Sequence, residues 1–100
     1  ISFRRTVLEE GIAIYFSLFY LETQGYKDIK KINLKHLEKN YPKYFGAYKN
    51  VSQIDNLFKV IKQIREEYPD KRISDLRNEH LLLSINSNDL VLKLIEKFNV

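Results

Sequence analysis

The sequence predicts an all-α fold, arranged as a single-domain irregular or orthogonal bundle of four to five helices around a central apolar N-terminal helix. The 100 residues include only 3 Gly and 2 Pro, fewer than the tight turns of an all-β sandwich or barrel require. Hydrophobic residues make up 44% of the chain, which is enough for one core. They recur at the spacing of helices rather than in the alternating pattern of strands.

We expect residues 1–100 to form one helical domain, because a chain of this length holds a single core. It begins with Ile1 rather than Met, so we also expect a fragment or excised domain of a longer chain. The apolar run at residues 12–21 would span about 15 Å as a helix, half the hydrocarbon thickness of a bilayer. Glu9 and Glu10 fall where a signal peptide needs apolar residues. We therefore expect a soluble protein with no membrane span, and we favour the cytoplasm.

The first helix is predicted from Arg5 to Gln24, with Gly25 as a left-handed residue after its end. Between residues 12 and 21 apolar residues occupy every side of the helix, which is typical of a buried helix. The side chains expected to be most enclosed are Ile12, Tyr15, Phe16, Phe19 and Leu21. A strip of small residues lies along the same helix, formed by Gly11, Ala13 and Ser17. Another helix backbone could approach closely along that strip.

A second helix is predicted to begin at Asn33, whose side chain can cap it. Ile32, just before that cap, would pack on Leu37 as a hydrophobic staple. The residue before Pro42 is biased out of the helical region, so this helix should end there. The chain should resume as a helix over residues 42–48, with Pro42 in the first turn.

The second half of the chain has the clearest helical spacing. A helix beginning at Ser52 and ending before Pro69 would carry one apolar stripe, formed by Ile54, Leu57, Phe58, Ile61, Ile64 and Tyr68. Ser74 can cap a shorter helix, whose apolar residues are Leu76, Leu81 and Leu83. Residues 81–85 could instead form a short strand. Ser87 can cap a last helix, with a stripe formed by Leu90, Val91, Leu94, Ile95 and Phe98.

The net charge of +4 arises in one segment of the chain. Residues 26–50 sum to +5, whereas residues 1–25 sum to −1 and residues 51–100 to zero. Lysines recur there every four residues, so in a helix they share a face that drifts slowly around the axis. We predict that this Lys/Tyr-rich segment is a binding surface, formed by Lys27, Lys30, Lys31, Lys35, Lys39, Lys43, Tyr41, Tyr44 and Tyr48.

A row of like charges favours acidic partners, because lysines four residues apart repel each other in an isolated helix. Lysines interleaved with tyrosines that can stack on bases are also typical of surfaces for single-stranded nucleic acid. The same residues equally fit a solvated lysine face whose tyrosines pack in the core. We predict a noncatalytic interaction domain that binds a protein partner or the remainder of its own chain, with nucleic acid as a further candidate.

Several common chemistries lack the residues they need. The chain has no Cys and only two histidines, His36 and His80, which excludes disulfides, thiolate zinc sites and all-imidazole metal sites within one copy. The three glycines are isolated, so no glycine-rich phosphate loop exists. Neither histidine has a nearby Ser or Cys with an orienting acid at recognisable spacing. We predict no catalytic residue, no metal ligand and no cofactor in this chain.

The segment Glu10-Gly11-Ile12-Ala13-Ile14-Tyr15 resembles the Glu-Gly-hydrophobic-Ala-x-Tyr segment of gluzincin-type zinc metallopeptidases. The resemblance implies that Glu10 would be the third zinc ligand. The family's His-Glu-x-x-His does not occur here, so both imidazole ligands and the general base would have to come from upstream residues. The alternative prediction is a C-terminal fragment of a zinc metallopeptidase, with zinc as cofactor when those residues are present. The sequence before Ile1 would separate the two predictions.

Overall fold

The computed structural model describes residues 5–82 and 84–98 of the chain. They form α1 (Val7–Thr23), α2 (Lys27–Asn40), α3 (Pro42–Ser52), α4 (Leu57–Glu67), a 3-10 helix (Ile73–Asp75), α5 (Asn78–Leu81) and α6 (Asn88–Leu94). The predicted all-α fold is confirmed. The described residues hold six α-helices rather than four or five, and the helix predicted to begin at Pro42 extends to Ser52. None of these helices is both long enough and apolar enough to cross a membrane.

Hydrogen bonds fix both ends of α1. The Thr6 hydroxyl oxygen accepts a hydrogen bond from the Glu9 N–H at 3.3 Å and caps the first turn. Gly25 adopts a φ of 87°, the left-handed conformation that the sequence predicted. The Tyr26 N–H then donates to the Leu21 carbonyl at 2.9 Å, a bond characteristic of the Schellman motif. These two caps confine the helix to slightly fewer residues than predicted.

α1 and α3 approach most closely at Gly11. A Cβ atom at this position would lie 2.5 Å from the Ala47 carbonyl oxygen and would overlap a methyl group of Val51. Ala47 and Val51 are both buried on α3. The two backbones therefore meet because position 11 has no side chain. The strip of small residues was predicted correctly at Gly11, whereas Ala13 and Ser17 are exposed.

The core lies on one side of α1 rather than all around it. Its largest fully buried side chains come from α3, α5 and α6, and they include Val51, Leu81, Val91 and Leu94. Of the α1 side chains expected to be enclosed, Ile12 is buried and Tyr15, Phe16 and Leu21 are half-buried. Phe19 is 40% exposed. The expectation of burial on every side is wrong, because a chain of this size has too few helices to surround a central one.

α2 begins at Lys27 rather than at Asn33. The turn through Gly25 is so short that the new helix starts directly after it, with no side-chain cap from Tyr26. Ile32 consequently lies within the helix and is 65% exposed, so the predicted hydrophobic staple is wrong. The predicted break before Pro42 is confirmed, since α2 ends and α3 begins there.

α4 begins at Leu57 rather than at Ser52. Ser52 ends α3, where its hydroxyl donates to the Tyr48 carbonyl at 2.8 Å. The cap of α4 is Asn56, whose side-chain oxygen accepts from the Lys59 N–H at 3.4 Å. Asn56 has a φ of 51°, a left-handed conformation that asparagine tolerates better than most residues. The apolar stripe of this helix is buried at Leu57, Val60 and Ile64, while Phe58 is 43% exposed.

The short helix predicted after Ser74 is capped differently. Ser74 lies within the 3-10 helix, and α5 follows Arg77. The imidazole Nδ1 of His80 accepts a hydrogen bond from the Arg77 N–H at 2.9 Å and so satisfies a backbone group at the start of this helix. No strand occurs within the described part of residues 81–85, so the strand alternative is not supported. Leu83 lies outside the described residues.

The cap predicted for the last helix is confirmed. The Ser87 hydroxyl oxygen accepts from the Leu90 N–H at 3.3 Å at the start of α6. Beyond α6 the chain returns to the beginning of α1. Thr6 and Lys97 form an isolated antiparallel bridge, and the Phe98 N–H donates to the Arg5 carbonyl at 2.7 Å. The bridge fixes the end of the described chain against its start.

We expect Gly11→Ala to destabilise the fold by about 1–3 kcal/mol, because the added methyl group overlaps α3. Gly46→Ala is the matched control, since nothing lies within 4 Å of a Cβ at that helical position. It should stabilise α3 by about 0.5–1 kcal/mol, the usual gain from replacing glycine in a helix. Urea denaturation measures both values. Equal effects of the two substitutions would contradict the close approach of α1 and α3.

We expect Leu18→Ala to cost more stability than Phe19→Ala, although phenylalanine is the larger residue. Leu18 is 4% exposed, and truncation of a buried leucine costs about 2–5 kcal/mol. Phe19 contacts Phe58 with ring centroids 5.0 Å apart but remains partly in solvent, so its loss should cost about 1–2 kcal/mol. Chemical denaturation of both variants tests the order. A larger loss of stability for Phe19→Ala than for Leu18→Ala would contradict the exposure of Phe19 at the surface of α1.

Candidate functional site

α2 lies on the outside of the fold. None of its 14 residues is buried, whereas α1, α3, α4, α5 and α6 each contribute at least one buried side chain. Its inner face is half-buried at Lys30, Leu34 and Leu37, and the helix packs against α1 and α3. The rest of the helix faces solvent. The inner face covers only about two turns of the helix and has no fully buried side chain. Most of the helix surface is therefore available for contact with another molecule.

Four lysines follow one another along the exposed surface of α2. Lys27, Lys31, Lys35 and Lys39 are all exposed, and each step of four residues rotates the side chain by about 40° around the axis. Within the described residues, none of the four takes part in an ion pair. Lys43 is exposed too, but it lies on α3 beyond the break at Pro42. The fold therefore leaves most of the positive charge of this row uncompensated, although the charge of Lys27 acts on the Glu22 carboxylate and Asp28 and Glu38 lie on the same helix.

Lys30 differs from the other lysines of the predicted surface. Its ammonium group donates to a carboxylate oxygen of Glu22 on α1 at 2.7 Å, and its side chain is only 24% exposed. This hydrogen bond raises the pKa of Lys30 and lowers the pKa of Glu22. Lys30 thus joins α2 to α1. Its charge is already matched, so it contributes less to a binding surface than its neighbours.

The three tyrosines of the predicted surface have different environments. Tyr48 is half-buried and stacks on Tyr15 with ring centroids 6.2 Å apart. Tyr44 is half-buried and packs on Phe98 with a centroid distance of 4.8 Å. Tyr41 is 51% exposed at the break between α2 and α3. Tyr41 is the one exposed member of these three, and its ring contacts those of His36 and Tyr44 at centroid distances of 5.7 and 6.2 Å, which weakens the base-stacking interpretation of the segment.

Two exposed isoleucines were not assigned to the surface by the sequence. Ile29 is 44% exposed and Ile32 is 65% exposed, both on α2. They escaped notice because the helix was expected to start at Asn33, which placed Ile32 in a staple. A continuous helix from Lys27 would have put Lys30, Leu34 and Leu37 on one face and the isoleucines on another.

An apolar groove runs between α2 and α1 beside these isoleucines. Its volume is about 350 Å³, and its lining is formed by Ala13, Ile14, Ser17, Leu18, Asn33, His36 and Leu37. The small side chains of Ala13 and Ser17 form its α1 wall together with Ile14 and Leu18. The strip predicted to receive a helix backbone therefore borders an open groove at these two positions, while Gly11 receives α3.

The histidines have structural roles in the described chain. His36 is exposed on α2, where its ring Nδ1 lies 3.0 Å from the side-chain nitrogen of Asn40. His80 is half-buried, caps α5 and packs edge-on against Tyr68 with ring centroids 4.6 Å apart. The two histidines lie on separate elements. Among the described residues no group of three or more His, Cys, Asp or Glu side chains is placed to hold a metal ion.

Glu10, the residue singled out by the metallopeptidase resemblance, lies in the first turns of α1. Its carboxylate is 3.5 Å from a guanidinium nitrogen of Arg5 and its side chain is 17% exposed. Acidic residues at this position are favoured by the helix dipole. The neighbouring Gly11 is required by the contact with α3, so the helix dipole accounts for Glu10 and packing accounts for Gly11. The resemblance itself stays a prediction.

Comparison of the chain with protein-family models, with curated proteins and with solved structures finds no match. The geometry of the chain itself is therefore the basis for its proposed function.

We expect zinc to leave the melting temperature of the 100-residue chain unchanged, because a ligand stabilises a fold only when it binds the folded state and Glu10 alone does not make a site. Thermal melting with and without zinc, and metal analysis after dialysis, test this. Under the metallopeptidase prediction a longer chain with an upstream His-Glu-x-x-His would bind zinc and lose it on Glu10→Ala. Micromolar zinc affinity of the 100-residue chain would contradict the expectation.

Proposed function

We propose that this chain is a noncatalytic interaction domain that binds an acidic protein partner through the exposed surface of α2. The partner is another protein or the remainder of its own longer chain. The observation that carries the proposal is a 14-residue helix with no buried side chain. Such a helix adds little to the core and leaves the apolar side chains of Ile29 and Ile32 in contact with solvent. Exposed apolar side chains grouped together are typical of an interaction site.

The chemistry of α2 supports an acidic protein more than nucleic acid. Protein interfaces combine an apolar centre with a polar or charged rim. Ile29, Ile32 and the groove beside them supply the apolar centre, and the lysine row supplies the rim. Nucleic acids are bound through phosphate contacts and base stacking, and exposed isoleucines serve neither purpose. Of the three tyrosines of the surface only Tyr41 is exposed enough to stack on a base.

A second copy of the chain is a poor partner for this surface. Two α2 helices brought face to face would set one lysine row against the other, and such like charges repel. The chain also carries a net charge of +4. An acidic surface on a different protein, or on another part of the same longer chain, would instead be attracted over a distance comparable to the Debye length.

We expect Lys31→Glu, Lys35→Glu and Lys39→Glu together to weaken partner binding at least about tenfold, since three favourable charge contacts become repulsive. The control combines Lys59→Glu, Lys62→Glu and Lys93→Glu, which changes the net charge equally at exposed positions on α4 and α6. Partners captured by the parent chain are purified, and their affinities for parent, variant and control are measured at two salt concentrations.

The α2 variant alone should lose affinity, and binding by the parent should weaken as salt rises. Full affinity in the α2 variant would overturn the assignment of this surface. Labelled single-stranded DNA and RNA are titrated in parallel under the same conditions. Tight binding of either that is lost in the α2 variant and kept in the control would replace the protein partner with nucleic acid.

A further inference from the structure

A cleft of about 640 Å³ opens between the connection after α4 and the end of α6. It lies outside the Lys/Tyr-rich segment, in a part of the chain whose charges sum to zero. Its volume falls within the range of sites that bind small molecules. In the part of the chain that the structure describes, its polar lining is formed by Asp70, Lys71, Ser74, Asp75, Arg77 and Lys97.

One of the two carboxylates in this cleft is already matched. Arg72 donates from Nε to a carboxylate oxygen of Asp75 at 3.1 Å. This hydrogen bond lowers the pKa of Asp75, and the charges of Arg72, Lys97 and Lys71 lower it further. Lys71 and Lys97, which are far apart in the sequence, therefore line the same cleft as Asp75 and lie near enough for their charges to act on it. The Arg72–Asp75 pair can be treated as neutral.

The remaining side chains leave the cleft positive. With the Arg72–Asp75 pair counted as neutral, the cleft has one carboxylate, that of Asp70, and three cationic side chains, those of Lys71, Arg77 and Lys97. The net charge of its lining is therefore +2. Among the described residues, Arg77 takes part in no ion pair. The Lys97 ammonium donates to the Ser74 carbonyl at 3.4 Å, which holds it at the wall of the cleft. Its backbone is fixed as well, by the bridge to Thr6.

This balance of charge selects anions over cations. A divalent metal ion needs several oxygen ligands, but Asp75 is engaged by Arg72, and the lysines repel any cation placed beside Asp70. An anion with two or more charges would instead offset the excess positive charge. Guanidinium groups match the oxygens of phosphate with paired hydrogen bonds, and lysines bind phosphate as point charges.

We propose that this cleft binds a small soluble anion that carries at least two negative charges on phosphoryl groups. Arg77 contributes a forked donor from the start of α5, and Lys71 and Lys97 contribute ammonium groups from the other walls. The Ser74 hydroxyl adds a neutral donor. The site is independent of the partner surface on α2, since none of its residues belongs to that helix.

Inorganic pyrophosphate is the probe, titrated into the ¹⁵N-labelled 100-residue chain at physiological ionic strength and followed by two-dimensional NMR. We expect saturable shifts of the amides of residues 70–77 and 95–98, with a dissociation constant below about 1 mM. Arg77→Gln combined with Lys97→Gln should weaken binding at least about tenfold, which corresponds to about 1.4 kcal/mol. Both substitutions keep the backbone bonds that these residues make. Lys93→Gln, an exposed lysine of α6 outside the cleft, should leave the affinity unchanged.

Three outcomes would overturn the site. The first is the absence of saturable shifts up to about 10 mM pyrophosphate, far above the expected dissociation constant. The second is unchanged affinity in the Arg77 and Lys97 variant. The third is shifts confined to α2 that vanish with Lys31→Glu, Lys35→Glu and Lys39→Glu. Citrate is a polyanion without phosphoryl groups. If citrate binds as tightly as pyrophosphate, the assignment of a phosphoryl ligand is overturned. Failure of the α2 surface to bind a partner would leave these expectations unchanged.

Discussion

The contact between α1 and α3 at Gly11 is the constraint on which the rest of the structure depends. With no Cβ at this position, the Ala47 carbonyl and the Val51 side chain lie directly against the α1 backbone. Among the described helices, these two have the most extensive contact. Once α3 occupies that side of α1, α2 is left to pack across the outside of the pair. The close approach at Gly11 thus gives α3 the inner position beside α1, while α2 contributes no buried side chain.

The position of α2 explains why most of its charge is uncompensated. A helix in the core would need its lysines paired or excluded, because an isolated buried charge is costly. Among the described residues, Lys30 is the one lysine of α2 that forms an ion pair, with the carboxylate of Glu22 on α1. The remaining lysines stay in water and repel one another by a few tenths of a kcal/mol per pair. This repulsion is small compared with the stability of a folded domain. An acidic partner would place carboxylates beside these lysines and so replace the repulsion with attraction.

The features that could be predicted from the sequence are those that depend on a few adjacent residues. The left-handed Gly25, the break at Pro42 and the cap at Ser87 each follow from local backbone chemistry. The start of α2 was missed because Asn33 is a good capping residue that the short turn through Gly25 makes unnecessary. Ser52 was misassigned for a related reason. Its hydroxyl bonds back to the previous turn of α3, an alternative always open to serine.

Features that depend on distant residues were harder to predict. The apolar run of α1 indicates burial, but how much of its surface is covered depends on how many helices pack around it. Phe19 and Phe58 partly cover each other at the surface instead. The lysine row could be predicted because a helix keeps residues of regular spacing together. The exposure of Ile32 was missed because the helix was predicted to start at Asn33, which placed Ile32 in a staple before the helix.

The positive charge of the cleft is another feature that depends on residues far apart in the sequence. Summed along the sequence, residues 51–100 are neutral, and no stretch of them stands out as basic. The positive and negative charges that cancel in this sum lie at different places in the folded chain. The 3-10 helix brings Arg72 onto Asp75, and the bridge between Thr6 and Lys97 carries a lysine from the end of the described chain to the same place. A neutral half of a chain can therefore contain a positive cavity, because complementary pairs form between near neighbours and leave the more distant cations unmatched.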